Sequence, residues 1–391
     1  MTMRLFMTRS IWTGLALAAL LPAAQPAETI KITEYAEPTQ KPIPIALTGF
    51  SSEVARVLEF DLYVVGFKVV DEVAAQFTLR GGNSPQVEGR LTDNISKAVK
   101  FAKAYSGGSL RAQAHALADD VVEAVTGQKG IARTKIAFKV ARGQSSEIYV
   151  ADYDGFGATA VTQDGSVVAA PAWVPGQRKL YYVTYKFGNA DIVWHDLGSG
   201  TRQLFARYTG SNITPAVSPD GRRVAMILSK GGSPDLYVAD ADGGNLRQLT
   251  RTREDESSPT WSPDGRLICV ATRMDGRRVL ATVPAGGGTL RRLAIAGVAN
   301  PSEPDWSPDG RWIAFTAQMR NFEICVAPAA GGEAKLYTAG EDPCWAPNSR
   351  TLMFTRRVNG RRALSLLDVP TKQIKDAAQI SGNNSQPAWA R

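Results

Sequence analysis

The stretch Ser218–Thr250, SPDGRRVAMILSKGGSPDLYVADADGGNLRQLT, decides how the rest of the chain is read. Arg223–Leu228 is a strand-forming run, followed by the turn formers Gly231, Gly232, Ser233 and Pro234. Leu236–Ala239 is a second run, closed by Asp242-Gly243-Gly244, and a short third run ends at Leu249-Thr250. With Pro215-Ala216-Val217 ahead of it, the stretch predicts four short strands parted by Gly, Asp and Pro turns, none long enough to bury a core alone.

The unit recurs. A Pro-x-Trp anchor stands at Pro171-Ala172-Trp173, Pro259-Thr260-Trp261, Pro304-Asp305-Trp306, Pro343-Cys344-Trp345 and Pro387-Ala388-Trp389, with Val217 replacing Trp in the copy at 215–217. The anchors at 173, 217, 261, 306, 345 and 389 are spaced by 44, 44, 45, 39 and 44 residues. Ser-Pro-Asp-Gly follows three of them, at 218–221, 262–265 and 307–310, with degraded copies at 174–177 and 346–349. Proline presets the first central turn position, and Asp-Gly supplies an acceptor and a residue tolerant of positive φ. A period of roughly 40–45 residues with four short strands is that of a β-propeller blade. Strands A to D of each blade are the anchor strand and the three that follow it.

The last anchor, Trp389, has no B, C or D strand after it, whereas Ile131–Val140, Glu147–Ala151 and Ala158–Thr162 read as B, C and D with no A before them. Pairing Pro387–Arg391 beside Ile136–Val140 closes a six-bladed ring over 131–391 and removes the exposed sheet edges that would template aggregation. The anchor tryptophans are then packing between blades.

Ahead of the ring, Met1–Leu21 has Arg4 and Arg9, no acidic residue and the apolar run Ile11–Leu21, with small residues Ala23, Ala24 and Ala27 after it. This pattern is an export leader over 1–24, too short to span a membrane with confidence as a helix anchor. Its removal takes the formal charge from +8 to +6, two Arg being lost. Glu28–Pro44 is polar and proline-bearing and reads as a flexible arm. Strands are expected at Ile43–Leu47, Phe67–Val70, Gln86–Leu91 and Ala98–Tyr105, and helices at Glu53–Phe60, capped by Ser51 or Ser52, and at Leu110–Val125, capped by Gly127. The fold class is therefore multidomain, a small N-terminal α/β domain over 28–128 followed by an all-β propeller.

Catalytic signatures are absent from the sequence: there is no Gly-x-Ser-x-Gly elbow, P-loop or zinc spacing. The two histidines, His115 on a predicted helix and His195 on a predicted C strand, lie in unrelated contexts and read as ordinary surface or half-buried residues. Cys269, Cys325 and Cys344 fall on predicted strands; buried thiols are the default, and a Cys325–Cys344 bridge between adjacent blades is the alternative. Arg222, Arg223, Arg266 and Arg311 decorate the face of the A–B turns, while Arg277, Arg278, Arg361 and Arg362 sit in B–C loops on the opposite face. Without aromatic interleaving, and in an exported chain, this charge does not point to nucleic acid.

The D–A connections end beside the central channel and bring acidic, hydroxyl and amide groups together. The residues expected at this mouth are Asn212, Thr214, Glu256, Ser257, Ser302, Glu303, Glu341, Asp342, Asn384 and Ser385. Loops held rigidly by blades make a docking surface for a peptide or protein. Glu256, Glu303 and Glu341 are also of the type that attracts a hard cation such as Ca²⁺; no other cofactor is expected.

Several segments together resemble the TolB family, the periplasmic component of the Tol–Pal envelope system. The junction Thr126-Gly127-Gln128-Lys129-Gly130-Ile131-Ala132-Arg133-Thr134-Lys135-Ile136-Ala137 is similar to the family's linker, with Ala132 where an aromatic is usual. Ala151-Asp152-Tyr153-Asp154-Gly155, the ending Asp240–Thr250 and the terminal Pro387-Ala388-Trp389 match as well, and Pro42–Ala46 resembles the opening strand of the first domain. Leu47-Thr48-Gly49-Phe50 and the short 77–86 segment depart from the pattern. The resemblance implies a non-enzymatic, monomeric periplasmic adaptor in envelope integrity and cell division. It would bind the lipoprotein Pal at the propeller mouth and the inner-membrane protein TolA through the arm, at Glu28, Thr29, Ile30, Lys31 and Ile32, with arm ordering and Pal binding exclusive. The competing readings are an exported propeller holding a carbohydrate or peptide in its channel, and a hydrolase or lyase using channel carboxylates.

Overall fold

The computed structural model describes residues 35–377 and 380–391; the leader read at 1–24 and Glu28, Thr29, Ile30, Lys31 and Ile32 of the arm lie outside them. The first part of the chain builds a five-stranded sheet from β1 (Ile43–Thr48), β2 (Phe67–Val69), β3 (Phe77–Asn83), β4 (Val87–Asp93) and β5 (Val99–Tyr105), in the order β2-β1-β3-β4-β5. β1 runs parallel to β2 and β3, and the rest of the sheet is antiparallel. Two helices pack on it, α1 (Ser52–Tyr63) and α2 (Leu110–Thr126). Ser109 Oγ accepts from Ala112 N at 3.2 Å, and Gly127, at φ 71°, closes α2. Ser51 occupies the N-cap position of α1, but it caps no helix N–H; its own N–H is bound to Asn83 Oδ1 at 3.1 Å.

β3 is an element the sequence pattern does not announce, because Gly81 and Gly82 interrupt its alternation. A Cβ on Gly81 would meet the Glu88 carbonyl at 1.9 Å, so the strand pairing itself needs glycine there. The arm also differs from expectation. Its last two residues, Ile43 and Pro44, belong to β1, and the preceding described segment is tied down: Ala36 N donates to Leu336 O at 2.7 Å, and Thr39 N and Gln40 N donate to Pro370 O at 2.9 and 3.1 Å. Tyr35 Oη adds a bond to Glu323 Oε2 at 3.0 Å.

The rest is a ring of six four-stranded antiparallel sheets. Blade 1 spans Val168–Trp173, Lys179–Thr184, Asp191–Asp196 and Arg202–Ala206. Blade 2 spans Asn212–Val217, Arg223–Leu228, Asp235–Asp240 and Arg247–Gln248, and blade 3 Ser257–Trp261, Leu267–Met274, Arg277–Pro284 and Arg291–Arg292. Blade 4 comprises Pro301–Trp306, Trp312–Gln318, Phe322–Pro328 and Lys335–Ala339, and blade 5 Glu341–Trp345, Thr351–Val358, Arg361–Asp368 and Gln373–Asp376. Blade 6 takes its A strand from the end of the chain, Asn383–Trp389, paired antiparallel with Lys135–Arg142, in the register Trp389 opposite Ile136 and Asn384 opposite Val140.

The Ser-Pro-Asp-Gly turns share one internal circuit. Ser218 Oγ accepts from Arg223 N at 2.9 Å while Asp220 Oδ1 accepts from Arg222 N at 3.1 Å, and the same pair of bonds recurs at Ser262/Asp264 and Ser307/Asp309. Anchors Trp261, Trp306, Trp345 and Trp389 are buried between blades. Trp261 Nε1 donates to Ala216 O and Trp173 Nε1 to Ala388 O, each bond crossing to the preceding blade. All three cysteines are free. Cys325 packs in the core between blades 3 and 4, whereas Cys344 faces the core shared with blade 6, so the two thiols look into different interfaces.

Both parts of the chain belong to one compact unit and share one apolar core, in which Val54, Leu62 and Leu117 meet Ile136, Met353, Leu366 and Trp389. The junction is held by Asp119, whose carboxylate accepts from Ala132 N and Arg133 Nε, both at 2.8 Å. A Cβ on Gly130 would come within 2.1 Å of that carboxylate, which accounts for the glycine. Ala132 is buried against this core and leaves no room for an aromatic ring without repacking. Both histidines are buried rather than superficial: His115 pairs with Asp61, and His195 sits against Tyr182.

Candidate functional site at the channel mouth

Every A strand carries a bulge just before its anchor proline. The residue three before each anchor adopts positive φ: Ala170 (50°), Thr214 (47°), Ser258 (51°), Glu303 (52°), Asp342 (54°) and Gln386 (52°). None is glycine, and a left-handed non-glycine residue costs roughly 1 kcal/mol or more. Sixfold repetition of that strain at one level makes it a feature of the ring rather than an accident. These six residues, their prolines and the anchors other than Trp345 line a central cavity of about 540 Å³.

Side chains of the ring tie one blade to the next. Glu303 Oε2 accepts from Asp342 N at 3.1 Å, Asp342 Oδ2 from Gln386 N at 3.0 Å, and Gln386 Oε1 from Ala170 N at 3.0 Å. A second tier repeats the device one turn deeper, with Trp306 N donating to Thr260 Oγ1 at 3.2 Å, Trp345 N to Asp305 Oδ2 at 2.7 Å and Trp389 N to Cys344 Sγ at 3.3 Å. Arg391 reaches into the cavity, bonding Asp305 and the Trp345 carbonyl. Half of the mouth, from blade 4 to blade 1, is thus braced by bonds; Thr214 Oγ1, in the other half, is buried without a partner.

Of the ten residues expected at the mouth, Thr214, Glu303 and Asp342 line the cavity. Asn212, Glu256, Asn384 and Ser385 are buried away from it. Asn212 is consumed by Tyr208 N and by the Ala190 and Tyr208 carbonyls; Glu256 accepts from the hydroxyls of Thr250, Thr252 and Thr272 at 2.6, 2.8 and 3.0 Å. Ser257, Ser302 and Glu341 stand half-buried at the strand starts, Glu341 paired with Arg362 at 3.4 Å. The suggested Ca²⁺ trio of Glu256, Glu303 and Glu341 therefore does not converge, and no acidic, histidine or cysteine cluster among the described residues is arranged to hold a metal. Ser258 and Gln386, in D–A connections already read as ending at the mouth, and Ala170, which that reading missed, complete the ring; like the others, each immediately precedes the anchor proline.

Burial, and then repulsion from Glu303, push the Asp342 carboxyl up to about 7. A carboxyl raised above its unfolded value binds more protons in the native state, so its contribution to stability falls as pH rises from about 4 to about 7. Asp342→Asn is expected to flatten the decline of the thermal midpoint between pH 5 and 8, because an amide oxygen still accepts from Gln386 N without ionising. A variant profile parallel to the wild type across that range contradicts this assignment.

A closed propeller joined through a shared core to a small α/β domain, with a six-residue ring at its channel that is braced over half its circumference, is a two-part propeller built around its channel mouth. A family model described as the TolB beta propeller domain matches residues 122–391, more than half of the sequence, and the chain belongs to that family. The Tol-Pal system protein TolB of Actinobacillus succinogenes is 34% identical over 151 residues, 37% of this chain and 35% of that one. Its counterpart in a Polaromonas species is 31% identical over 203 residues, 44% of this chain and 48% of the other. The matched region thus spans less than half the length of these relatives. In fold, the crystal structure of TolB from Acinetobacter baumannii is similar with a TM-score of 0.81 at 21% identity, covering 91% of this chain and 98% of that one. No helix among the described residues is long and apolar enough to cross a membrane.

Proposed function

We propose that this chain is a non-enzymatic adaptor of the Tol–Pal envelope system, working in the periplasm. It docks Pal at the channel mouth and engages TolA through the arm that precedes β1. The observation that carries this reading is the ring of six strained residues at the mouth, four of them, Glu303, Asp342, Gln386 and Ala170, linked blade to blade by hydrogen bonds. A surface held this rigidly loses little entropy when a partner seats on it. Membership of the family supports this choice of partners.

The arm supplies the second half of the adaptor. Tyr35, Ala36, Thr39 and Gln40 rest on blades 4 and 5 through a handful of bonds. So few contacts fit a segment that exchanges between a docked and a released state. Linkage then requires that whatever favours release also shifts affinity at the mouth, by the same factor in both directions. Removing residues 28–41 from the mature protein is expected to abolish capture of soluble TolA and to tighten Pal binding by about tenfold, or ~1.4 kcal/mol. Calorimetry with each soluble partner domain measures both. Affinities for both partners that survive the deletion unchanged reject the adaptor switch.

A further inference from the structure

Two of the B–C hairpins are built against their own electrostatics. In all five blades that follow an anchor, strand B begins six residues after it, so differences in strand length fall at the B–C end. In blades 1 and 2 strands B and C have 6 residues each; in blades 3 and 5 they have 8. From the start of B to the end of C all four hairpins span 18 residues, 179–196, 223–240, 267–284 and 351–368; where blades 1 and 2 close with six-residue loops on the side of the channel mouth, regular pairing in blades 3 and 5 runs on to two-residue turns. Their tips are alike, Asp275-Gly276-Arg277-Arg278 and Asn359-Gly360-Arg361-Arg362. Both central residues of each turn have positive φ, 52° and 73° in one and 49° and 78° in the other, the geometry of a tight I′ hairpin that fixes register.

That register sets arginine opposite arginine twice, Arg273 across from Arg278 and Arg357 across from Arg362. Like charges directly opposite destabilise a sheet. The opposite end of the B–C hairpin does the reverse in other blades: Lys135 faces Asp152 in blade 6, Lys179 faces Asp196 in blade 1 and Arg223 faces Asp240 in blade 2. A third opposed pair, Arg80 and Arg90 in the N-terminal sheet, is relieved by Glu72 at 2.8 Å from Arg80. At the hairpin tips relief is partial. Arg278 leans to Ser257 Oγ at 3.2 Å and Arg362 to Glu341 at 3.4 Å, at equivalent positions of their A strands. The guanidiniums of Arg273, Arg277, Arg357 and Arg361 have no bond or ion pair among the described residues. Nearby carboxylates do not change this: Asp376 is engaged by Arg356, and Asp275 is a lone acid at its turn. Blade 4, between the two, adds the exposed Arg320 to the arc.

We propose that these two hairpins form a pair of cationic clamps that grip an acidic protein surface seated over the mouth. The inference rests on the adaptor reading for the identity of that protein and adds its chemistry. Each opposed arginine pair offers two forked donors to one carboxylate, an arrangement whose internal cost is removed on binding. A bilayer fits less well. The turns of both hairpins, Asp275-Gly276 and Asn359-Gly360, carry no apolar residue, while the exposed Tyr185 and Phe187 sit on the B–C loop of blade 1.

The test compares the full mature protein with the variant R273Q/R277Q/R357Q/R361Q, which spares Arg278 and Arg362 at the A strands. Association rates are measured with a synthetic glutamate-rich peptide and with the soluble domain of Pal, at low and high salt. The expected result is a fall of at least about tenfold in the variant's association rate with both at low salt, vanishing at high salt, with an unchanged or higher thermal midpoint. Peptide binding at wild-type rates overturns the clamps, as does a lowered thermal midpoint, which makes the arginines structural. Wild-type protein that prefers phosphatidylglycerol vesicles to the peptide overturns the choice of a protein partner. If the wild type binds the peptide through these arginines but ignores Pal, the clamps stand and the adaptor reading falls.

Discussion

Asp61→Ala is expected to destabilise the protein by about 3–5 kcal/mol, the range for removing one partner of a buried ion pair. Asp61 on α1 is buried and holds together three elements: it accepts from Tyr153 Oη at 2.5 Å and pairs with His115 Nδ1 of α2 at 2.7 Å. Tyr153 and Asp154 belong to the C–D turn of blade 6, and Asp154 binds Arg111 of α2, whose guanidinium lies over Phe156. Losing Asp61 leaves the imidazole and a phenol hydroxyl buried and unpaired where the two parts of the chain meet. Burial alone lowers the His115 imidazole, but the Asp61 carboxylate outweighs it and the net shift is upward. A cation held above its unfolded pKa contributes stability that is complete below about pH 6.5 and is lost as pH rises through the folded value. The wild type should therefore lose stability on the alkaline side, while the variant's profile is flat there. Glu53→Ala, at the exposed partner of Arg111, serves as control and is expected to cost under about 1 kcal/mol. Denaturant midpoints within about 1 kcal/mol of each other for wild type and Asp61→Ala would falsify the account of this contact.

Trp389→Ala is the second large effect, again about 3–5 kcal/mol. The ring stacks on Tyr153 at a centroid distance of 6.1 Å, its Nε1 donates to Thr134 Oγ1 at 2.7 Å, and it is buried in the shared core. Its strand is also the one that closes the ring, so the damage does not stay local. Loosening Asn383–Trp389 uncovers the edge of Lys135–Arg142 and exposes it to intermolecular pairing. The expected outcome is a lower thermal midpoint accompanied by concentration-dependent aggregation. Trp312→Ala, at a 37% exposed position outside the anchor series, is expected to cost no more than about 1 kcal/mol. Equal losses for the two would show that the closing strand has no special place in the fold.

The ring was legible because its information is local and repeated. Pro-x-Trp and Ser-Pro-Asp-Gly each specify a turn or packing position in a few residues, and their spacing counts the blades, including the A strand supplied from the far end. The site was less legible. The mouth was inferred from the polarity of the D–A connections, yet Asn212 and Glu256 are polar because they close their own turns. Whether such a side chain turns inward to a backbone N–H or outward to the channel depends on the bulge, which has no composition signature of its own. Only the pre-proline position marks it, and there Ala170 carries no polar group to draw notice. The Asp61–His115–Tyr153 contact was hidden for a different reason. Its members lie 54 and 92 residues apart from Asp61, and no periodic pattern links a helix to a distant blade turn.

The most direct measurement is calorimetric titration of the mature protein with the soluble domain of Pal, repeated with Ser258→Lys and with Arg222→Glu. Ser258 lies on the channel ring, and Arg222 is exposed at an A–B turn on the opposite face. The account predicts micromolar or tighter binding by the wild type, at least a tenfold loss with Ser258→Lys (~1.4 kcal/mol) and no change with Arg222→Glu. Absence of binding by the folded wild type, or a loss confined to Arg222→Glu, would contradict it.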